Sequence, residues 1–417
     1  MVEVAIMGFG VVGSGVAEVL TSHQESIARR AKQEIHIKYI LDIRDFADSP
    51  YASKFTKSFE TILNDPEIKV VAEVIGGLNP SYDYVKQLLQ NGKSVVTSNK
   101  ELVAQKGAEL LKIAQDNNVN FLFEASVGGG IPIIRPMNQC LAANDVIEIA
   151  GILNGTTNFI LTKMIREQMT FDDALSMAQR LGYAERNPAA DIEGLDACRK
   201  ICILASLAYG RHVYPDQVHT QGITNITLED VAYAEDWGGV IKLIGQAKKL
   251  ENGQIQVVVA PMFVGRESQL AGVDDVFNAI LVRGDATGDV VFYGKGAGKL
   301  PTASAVVADI IDCVKHTEKR IYLYWADAQE GYVSDYEESV IPVYMRATAP
   351  GMDDETAVGI ADELFGGVRR LYRDNAPREE IAFVTKELPL REIKRLRDEL
   401  EHRGVSVISM VRISDLT

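Results

Sequence analysis

A chain of 417 residues, 47% apolar and 24% charged, is long enough for several domains, each with its own core. Its net charge of −15 argues against a nucleic-acid partner, because gripping phosphates takes a basic face. No apolar run reaches roughly 18 residues, so no membrane span is expected, and the opening MVEVAIMGFG lacks the basic and apolar regions of a signal peptide. The four cysteines (Cys140, Cys198, Cys202, Cys313) show neither metal-ligand nor secreted spacing, which predicts a reducing, cytoplasmic compartment.

Residues 2–7 form a short apolar run, followed by GFGVVGSG and a helical pattern over 11–29. Strands are predicted at 34–41, 70–75, 93–97 and 119–124, with helices at 82–90, closed by Gly92, and 101–117. Alternating strands and helices predict a parallel doubly wound sheet. From 132 to 330 the pattern changes. A strand over 146–153 precedes NGTTNF and a helix, 171–181 and 196–209 read as helices, and 254–264 and 278–282 as strands. This is a mixed α+β domain, and the helix at 301–314 is placed to return to the first domain. From residue 335 onward the order is strand 340–347, helix 354–364, strands 368–373 and 381–385, helix 390–403 and strand 405–413. That βαββαβ order is ferredoxin-like.

Gly8-Phe9-Gly10-Val11-Val12-Gly13 follows a strand and opens a helix. In a Rossmann-type fold the first glycine makes the tight turn, the second admits a pyrophosphate and the third lets helix and strand pack closely. The second strand ends Leu41-Asp42-Ile43-Arg44-Asp45. The acid suits a ribose 2′-OH and the arginine a 2′-phosphate, so the choice between NAD and NADP stays open.

The segment 178–200, AQRLGYAERNPAADIEGLDACRK, crowds Glu185, Asp191, Glu193, Asp196 and Lys200 together. Asn187-Pro188 predicts a loop over 183–194. Asp196 and Lys200, at i and i+4, share a helix face, as a surface ion pair would. Lys100 follows a strand at the carboxyl edge of the sheet, where such folds bind ligands. Two lysines in one site depress each other's pKa and favour proton exchange near neutrality. The glycine run after Glu124 reads either as a tight crossover or as carbonyl oxygens aimed at a hard cation. The six histidines are scattered and carry no ligand spacing, Trp237 reads as core or lid, and Lys295 and Lys299 as phosphate contacts or solvated charges.

GFGVVG, EVIGG, TSNKELVA, FEASVGGGIPII, GILNGTTNFIL, LGYAERNPAADIEGLDACRK and YGKGAGKLPTASAVVADI resemble homoserine dehydrogenase, in that family's order, across about residues 1–316. The resemblance implies reversible NADP- or NAD-dependent reduction of L-aspartate 4-semialdehyde to L-homoserine, in the route to threonine and methionine. It makes Lys200 the proton donor, Lys100 the second lysine at substrate and nicotinamide, and Asp196 the residue orienting a lysine. Glu185 matches the carboxylate for the substrate ammonium, with Tyr183 and Asp191 beside it, and Gly155 and Thr156 receive the substrate carboxylate. Gly8, Phe9, Gly10, Val12, Gly13, Arg44, Gly76, Gly77, Thr97, Ser98, Lys100 and Gly298 correspond to the cofactor site. Glu124, Val127, Gly129 and Ile131 correspond to a sodium site. The resemblance further implies a homodimer or homotetramer. It predicts a dinucleotide-binding domain over 1–131 completed by 300–316 and a catalytic and dimerisation domain over 132–330. Residues 335–417 resemble an ACT regulatory domain, which implies feedback by threonine, although the acidic residue expected before Ala349-Pro350-Gly351 is absent.

Two rival readings differ in chemistry. A phosphorylating aldehyde dehydrogenase needs a thiolate nucleophile, and Cys198 and Cys202 read as buried helix residues. A nucleotide-binding amino-acid sensor without turnover would have no need of Lys100 and Lys200.

Overall fold

The computed structural model describes residues 1–416, which divide into two compact units. The first unit comprises residues 1–146, 202–215 and 284–329. The second comprises 147–201, 216–283 and 330 onward.

In the first unit six parallel strands, β1 (Val2–Met7), β2 (Ile35–Leu41), β3 (Phe55–Thr56), β4 (Ile68–Glu73), β5 (Ser94–Thr97) and β6 (Phe121–Leu122), lie in the order β3-β2-β1-β4-β5-β6. The order reverses between β1 and β4, so loops leaving their carboxyl ends diverge and open a crevice. Val4, Ile6, Val71 and Val95 are fully buried, because helices cover both faces of the sheet. This is the Rossmann-type doubly wound sheet expected from the sequence. The helix Lys299–Lys315 packs so closely on the helix Val11–Ser22 that a Cβ on Gly15 would stand 2.9 Å from the Lys299 carbonyl oxygen. The single helix predicted over 11–29 is two, Val11–Ser22 and Gln24–Ala31. At the break, the Ser22 hydroxyl donates to the Glu18 carbonyl at 2.6 Å, a local bond that competes with the helical ladder.

The second unit contains β7 (Val146–Ile152), β8 (His219–Thr220), β9 (Gly239–Lys249), β10 (Ile255–Gly265) and β11 (Phe277–Gly284). The strand β12 (Gly288–Lys295) follows in chain order. The tail adds β13 (Val340–Ile341), β14 (Val343–Thr348), β15 (Val368–Leu371), β16 (Glu380–Thr385), β17 (Leu388–Pro389) and β18 (Ser406–Ile413). One sheet runs β11-β7-β9-β10-β18-β14-β16-β15. Pro261 fits inside β10 because the strand pairs on its second side only at Val258–Val259 and Met262–Phe263, leaving no partner for a missing N–H.

β9, β12 and the helix Leu228–Trp237 go unseen in the sequence. β9 escapes notice because Lys242, Gly245 and Gln246 interrupt its apolar run. In the fold Lys242 is fully buried, its ammonium donating to the Val273 carbonyl (2.5 Å), Asn158 Oδ1 (3.3 Å) and Asp274 Oδ1 (3.3 Å). The loop predicted over 183–194 contains one helical turn, Ala189–Ile192.

The tail has the antiparallel order β18-β14-β16-β15 backed by the helices Asp354–Phe365 and Leu390–His402, the ferredoxin-like unit anticipated. Met345, Ala347, Phe383, Ile393 and Leu400 form its core. A buried polar cluster ties β14 to the helix Leu228–Trp237: Asp230 accepts from the Tyr344 hydroxyl (3.0 Å) and Arg346 Nε (3.1 Å), and Arg346 reaches Glu380 (3.3 Å). Removing one member of such a buried pair costs about 3–5 kcal/mol.

Candidate active site

In the first unit the turn after β1 behaves as a phosphate cradle. Gly8 adopts φ +98°, and a Cβ there would stand 2.9 Å from the Val74 carbonyl oxygen. A Cβ on Gly13 would meet the Gly8 carbonyl oxygen at 1.9 Å, whereas one on Gly10 would meet nothing within 4 Å. The protein thus fills the space at the first and third glycines and leaves the second open, as a pyrophosphate on a helix N-terminus requires. Phe9 and Val12 are half-buried in this turn.

At the end of β2 the Asp42 carboxylate accepts four N–H groups. These come from Phe9 N (2.7 Å), Arg44 N (2.9 Å), Arg44 Nε (3.0 Å) and Arg44 Nη2 (2.9 Å). The Arg44 bonds hold this carboxyl at about 2, below the usual carboxylate range. Arg44 keeps 58% of its side chain exposed and lies over the Phe46 ring at 5.1 Å.

Beyond β4, the fully buried Glu73 accepts the Ile75 and Gly76 amides and the Ser81 and Thr97 hydroxyls. Gly76 and Gly77 take φ +88° and +72° with open space around them. Thr97 Oγ1 in turn accepts the Asn99 amide. Asn99 donates to the Gly77 carbonyl and caps the helix Lys100–Asp116 through Oδ1 on the Leu102 amide, worth about 1 kcal/mol. Lys100 is therefore held half-buried at a capped helix start, just past Ser98. The sequence alone singles out neither Glu73 nor Asn99, although the Asn99-Lys100-Glu101-Leu102 pattern carries an N-cap signal.

The loop 124–135 is also braced from within the first unit. The Glu124 carboxylate accepts the amides of Ile133 (2.6 Å), Ile134 (2.8 Å) and Arg135 (2.8 Å). Asp309 accepts the Glu124 amide (2.8 Å) and Arg135 Nη2 (2.7 Å), and burial pushes the Asp309 carboxyl up to about 8. Among the described residues, the buried carbonyls of Val127, Gly129 and Ile131 accept no backbone hydrogen bond. Gly298, at φ +127°, caps the helix Lys299–Lys315. Lys299 pairs with Glu18 at 2.6 Å, and Lys295 is exposed. Among the described residues no three His, Cys, Asp or Glu side chains are grouped to hold a metal.

In the second unit Leu153-Asn154 directly follow β7, and Asn154 caps the helix Gly155–Glu167. Lys200 is 7% exposed. Its ammonium donates to the Leu153 carbonyl and to Asp196 Oδ2, both at 2.7 Å. The predicted ion pair is thus a buried one, where the spacing alone suits a surface pair equally well. Asn154 Nδ2 donates to Asp191 Oδ1 (2.7 Å) and Asp196 Oδ2 (2.9 Å). Gly245 makes room for this strand end, since a Cβ there would stand 2.8 Å from Leu153 Cδ1. The Thr156 hydroxyl donates to the Tyr183 carbonyl at 2.7 Å, and the Tyr183 ring meets Phe159 edge-on at 5.1 Å. Tyr183 and Glu185 are exposed, while Asp191 and Gly155 are half-buried. Asn154 is not among the residues that the sequence singles out. Cys198 and Cys202 are buried in the helix Leu195–Tyr209, as expected, and Trp237 packs at 5.8 Å from Phe263.

A Rossmann-type nucleotide cradle and a buried lysine–aspartate pair in one chain define a nicotinamide-dependent oxidoreductase. Comparison narrows the class. Residues 8–124 match the family profile described as homoserine dehydrogenase, NAD binding domain, and residues 132–311 that described as homoserine dehydrogenase. The chain is 40% identical over 320 residues to the homoserine dehydrogenase of Bacillus subtilis, covering 76% of this chain and 73% of the relative. It is 43% identical over 315 residues to that of Pseudomonas aeruginosa, covering 75% and 72%. The crystal structure of a homoserine dehydrogenase from Thiobacillus denitrificans superposes with a TM-score of 0.90 at 37% identity, covering 100% of this chain and 99% of the other. A hyperthermophilic archaeal homoserine dehydrogenase mutant in complex with NADPH gives 0.64 at 31% identity, covering 75% and 97%. The chain belongs to the homoserine dehydrogenase family. It is an oxidoreductase with a nucleotide cofactor and a small-molecule substrate, and the sensor reading without turnover is not favoured. No helix among the described residues is long and apolar enough to cross a membrane.

Proposed function

We propose that the chain reversibly reduces L-aspartate 4-semialdehyde to L-homoserine in the cytoplasm, on the route to threonine and methionine. The observation that carries this reading is the buried Lys200 ammonium held by Asp196 and the Leu153 carbonyl. The nicotinamide supplies the hydride when bound. Lys200 then stabilises the oxygen as it gains negative charge and delivers the proton that completes the alcohol, while Asp196 orients the ammonium. Glu185 receives the substrate ammonium, with Tyr183 and Asp191 beside it, and Gly155 and Thr156 receive its carboxylate at the helix start. Lys100 serves the nicotinamide end of the cofactor site, beside Gly76, Gly77, Thr97 and Ser98. Gly298 touches the cofactor from its loop.

NADP(H) is the proposed cofactor. A bare acid at the end of β2 would repel a 2′-phosphate, but Arg44 and Phe9 occupy the Asp42 carboxylate, and the half-exposed guanidinium is left facing a cleft of about 340 Å³. Sodium fits the carbonyls of Val127, Gly129 and Ile131. Glu124 contributes its main-chain oxygen, because its carboxylate is taken by three amides. Functionally, residues 1–131 with 300–316 bind the dinucleotide, 132–330 carry catalysis and dimerisation in a homodimer or homotetramer, and 335–417 form an ACT-like module. A tail cleft of about 630 Å³ is lined by Asp353, Asp354, Arg370 and Arg373, with Asp354 paired to Arg370 and Arg373 to Glu380; threonine is the proposed effector, its ammonium and carboxylate competing for those pairs.

The test mixes purified protein with homoserine and either NADP or NAD at alkaline pH and follows reduced nicotinamide by absorbance. Turnover faster with NADP is expected, and no turnover with either nucleotide overturns the reading. Millimolar threonine should lower that rate, and an unchanged rate removes the effector assignment.

A further inference from the structure

We propose that Asn154 is a positioning residue that holds the Asp196–Lys200 pair in register with the start of the helix Gly155–Glu167. The inference rests on Lys200 being the proton donor. Asn154 is 5% exposed, and each polar hydrogen of its amide has a carboxylate partner, Asp191 Oδ1 at 2.7 Å and Asp196 Oδ2 at 2.9 Å. Its Oδ1 accepts the Thr157 amide at 2.8 Å and so caps the helix. Only this orientation works, since the flipped amide would turn its oxygen toward two carboxylates and its hydrogens toward an N–H.

The neighbouring Leu153 carbonyl takes the Lys200 ammonium. Two consecutive residues at the end of β7 therefore hold both ends of the ion pair, one by backbone and one by side chain. Lys200 has a long, flexible stem, and Asp196 sits only one helical turn away. The Asn154 amide adds an anchor on Asp196 that limits how far the pair can swing about the Leu153 contact. One amide hydrogen holds the Asp196 carboxylate, which in turn holds the ammonium, and the other holds Asp191. The same side chain also spaces Asp191 and Asp196, keeping two acids apart that would otherwise repel.

The capping and bridging roles separate by substitution. Asn154→Asp and Asn154→Ser each keep an oxygen that caps a helix and lose the pair of amide N–H donors; Asp sets a third acid beside Asp191 and Asp196, whereas the shorter Ser keeps a single hydroxyl donor. In both variants kcat should fall about tenfold or more, as when a hydrogen bond to a charged group is lost. The KM for NADPH should stay within about twofold, and the solvent deuterium isotope effect should rise as proton delivery slows. A merely structural Asn154 would shift melting and leave the isotope effect alone. Lys200→Met is measured alongside. If it keeps parental kcat, the proton-donor reading fails and takes this proposal with it. If it abolishes turnover while both Asn154 variants keep kcat within about twofold, the positioning role alone is overturned.

Discussion

The turn after β1 and the end of β7 both present chemistry at the carboxyl end of a strand, by opposite means. The glycine turn works by absence: no protein atom fills the space beside Gly10, at the N-terminus of a helix. The end of β7 works by saturation, with Asn154, Asp191, Asp196 and Lys200 joined in hydrogen bonds under 3 Å. A site made of backbone needs glycines at fixed spacing and is visible in sequence. A site made of interlocking side chains depends on which distant residues meet, and spacing shows only its fragments.

The comparison breaks most sharply at Lys200. Lys200→Met should lower kcat about a thousandfold, within the usual span of general acid catalysis, and leave NADPH affinity by nucleotide fluorescence unchanged. Retained turnover would show that the saturated half is scaffold. Gly10→Ala should do the reverse. The added methyl meets no protein atom, so folding is kept, while the KM for NADPH rises about tenfold or more. An unchanged KM there would mean the open space is not where the pyrophosphate lies. Arg44→Ala sharpens the picture within the cofactor half: the KM for NADPH should rise about tenfold and that for NADH by less than about threefold. Equal losses with both nucleotides would remove the 2′-phosphate role.

The smallest effect is on stability. His212 is buried, and desolvation pulls its pKa below the ordinary imidazole value. The unfolded chain therefore takes up this proton first. The contribution is whole above about pH 6.5 and is lost as pH falls through the folded value. Urea midpoints should drop below about pH 6.5, and His212→Gln should flatten that decline. His219, also held low by burial, contributes in the same direction, so a slope unaltered by the His212 variant would assign it elsewhere.

Much of the fold is legible in the sequence for physical reasons. Strands buried on both faces, such as β1 and β4, read as unbroken apolar runs, and the tail's alternation of strand and helix gives its order directly. β9 does not, because Lys242 and Gln246 are buried by partners far along the chain and look like surface residues. The candidate site divides the same way. Gly8, Gly10 and Gly13 are legible from local geometry. Nothing local says that Asn154 bridges two acids some forty residues on, or that Glu124 gives its carboxylate to three amides.

The chain has two tryptophans, and they differ as reporters. Trp325 is 1% exposed, lies against Gly107, and donates its indole N–H to His212 Nδ1 at 2.9 Å, which leaves Nε2–H to donate to the Ala104 carbonyl. An indole sealed from water emits toward the blue, and a neighbouring imidazole that gains a proton quenches it. With Trp237 replaced by phenylalanine, emission from this single fluorophore becomes an optical gauge of whether the packing behind Lys100 is intact.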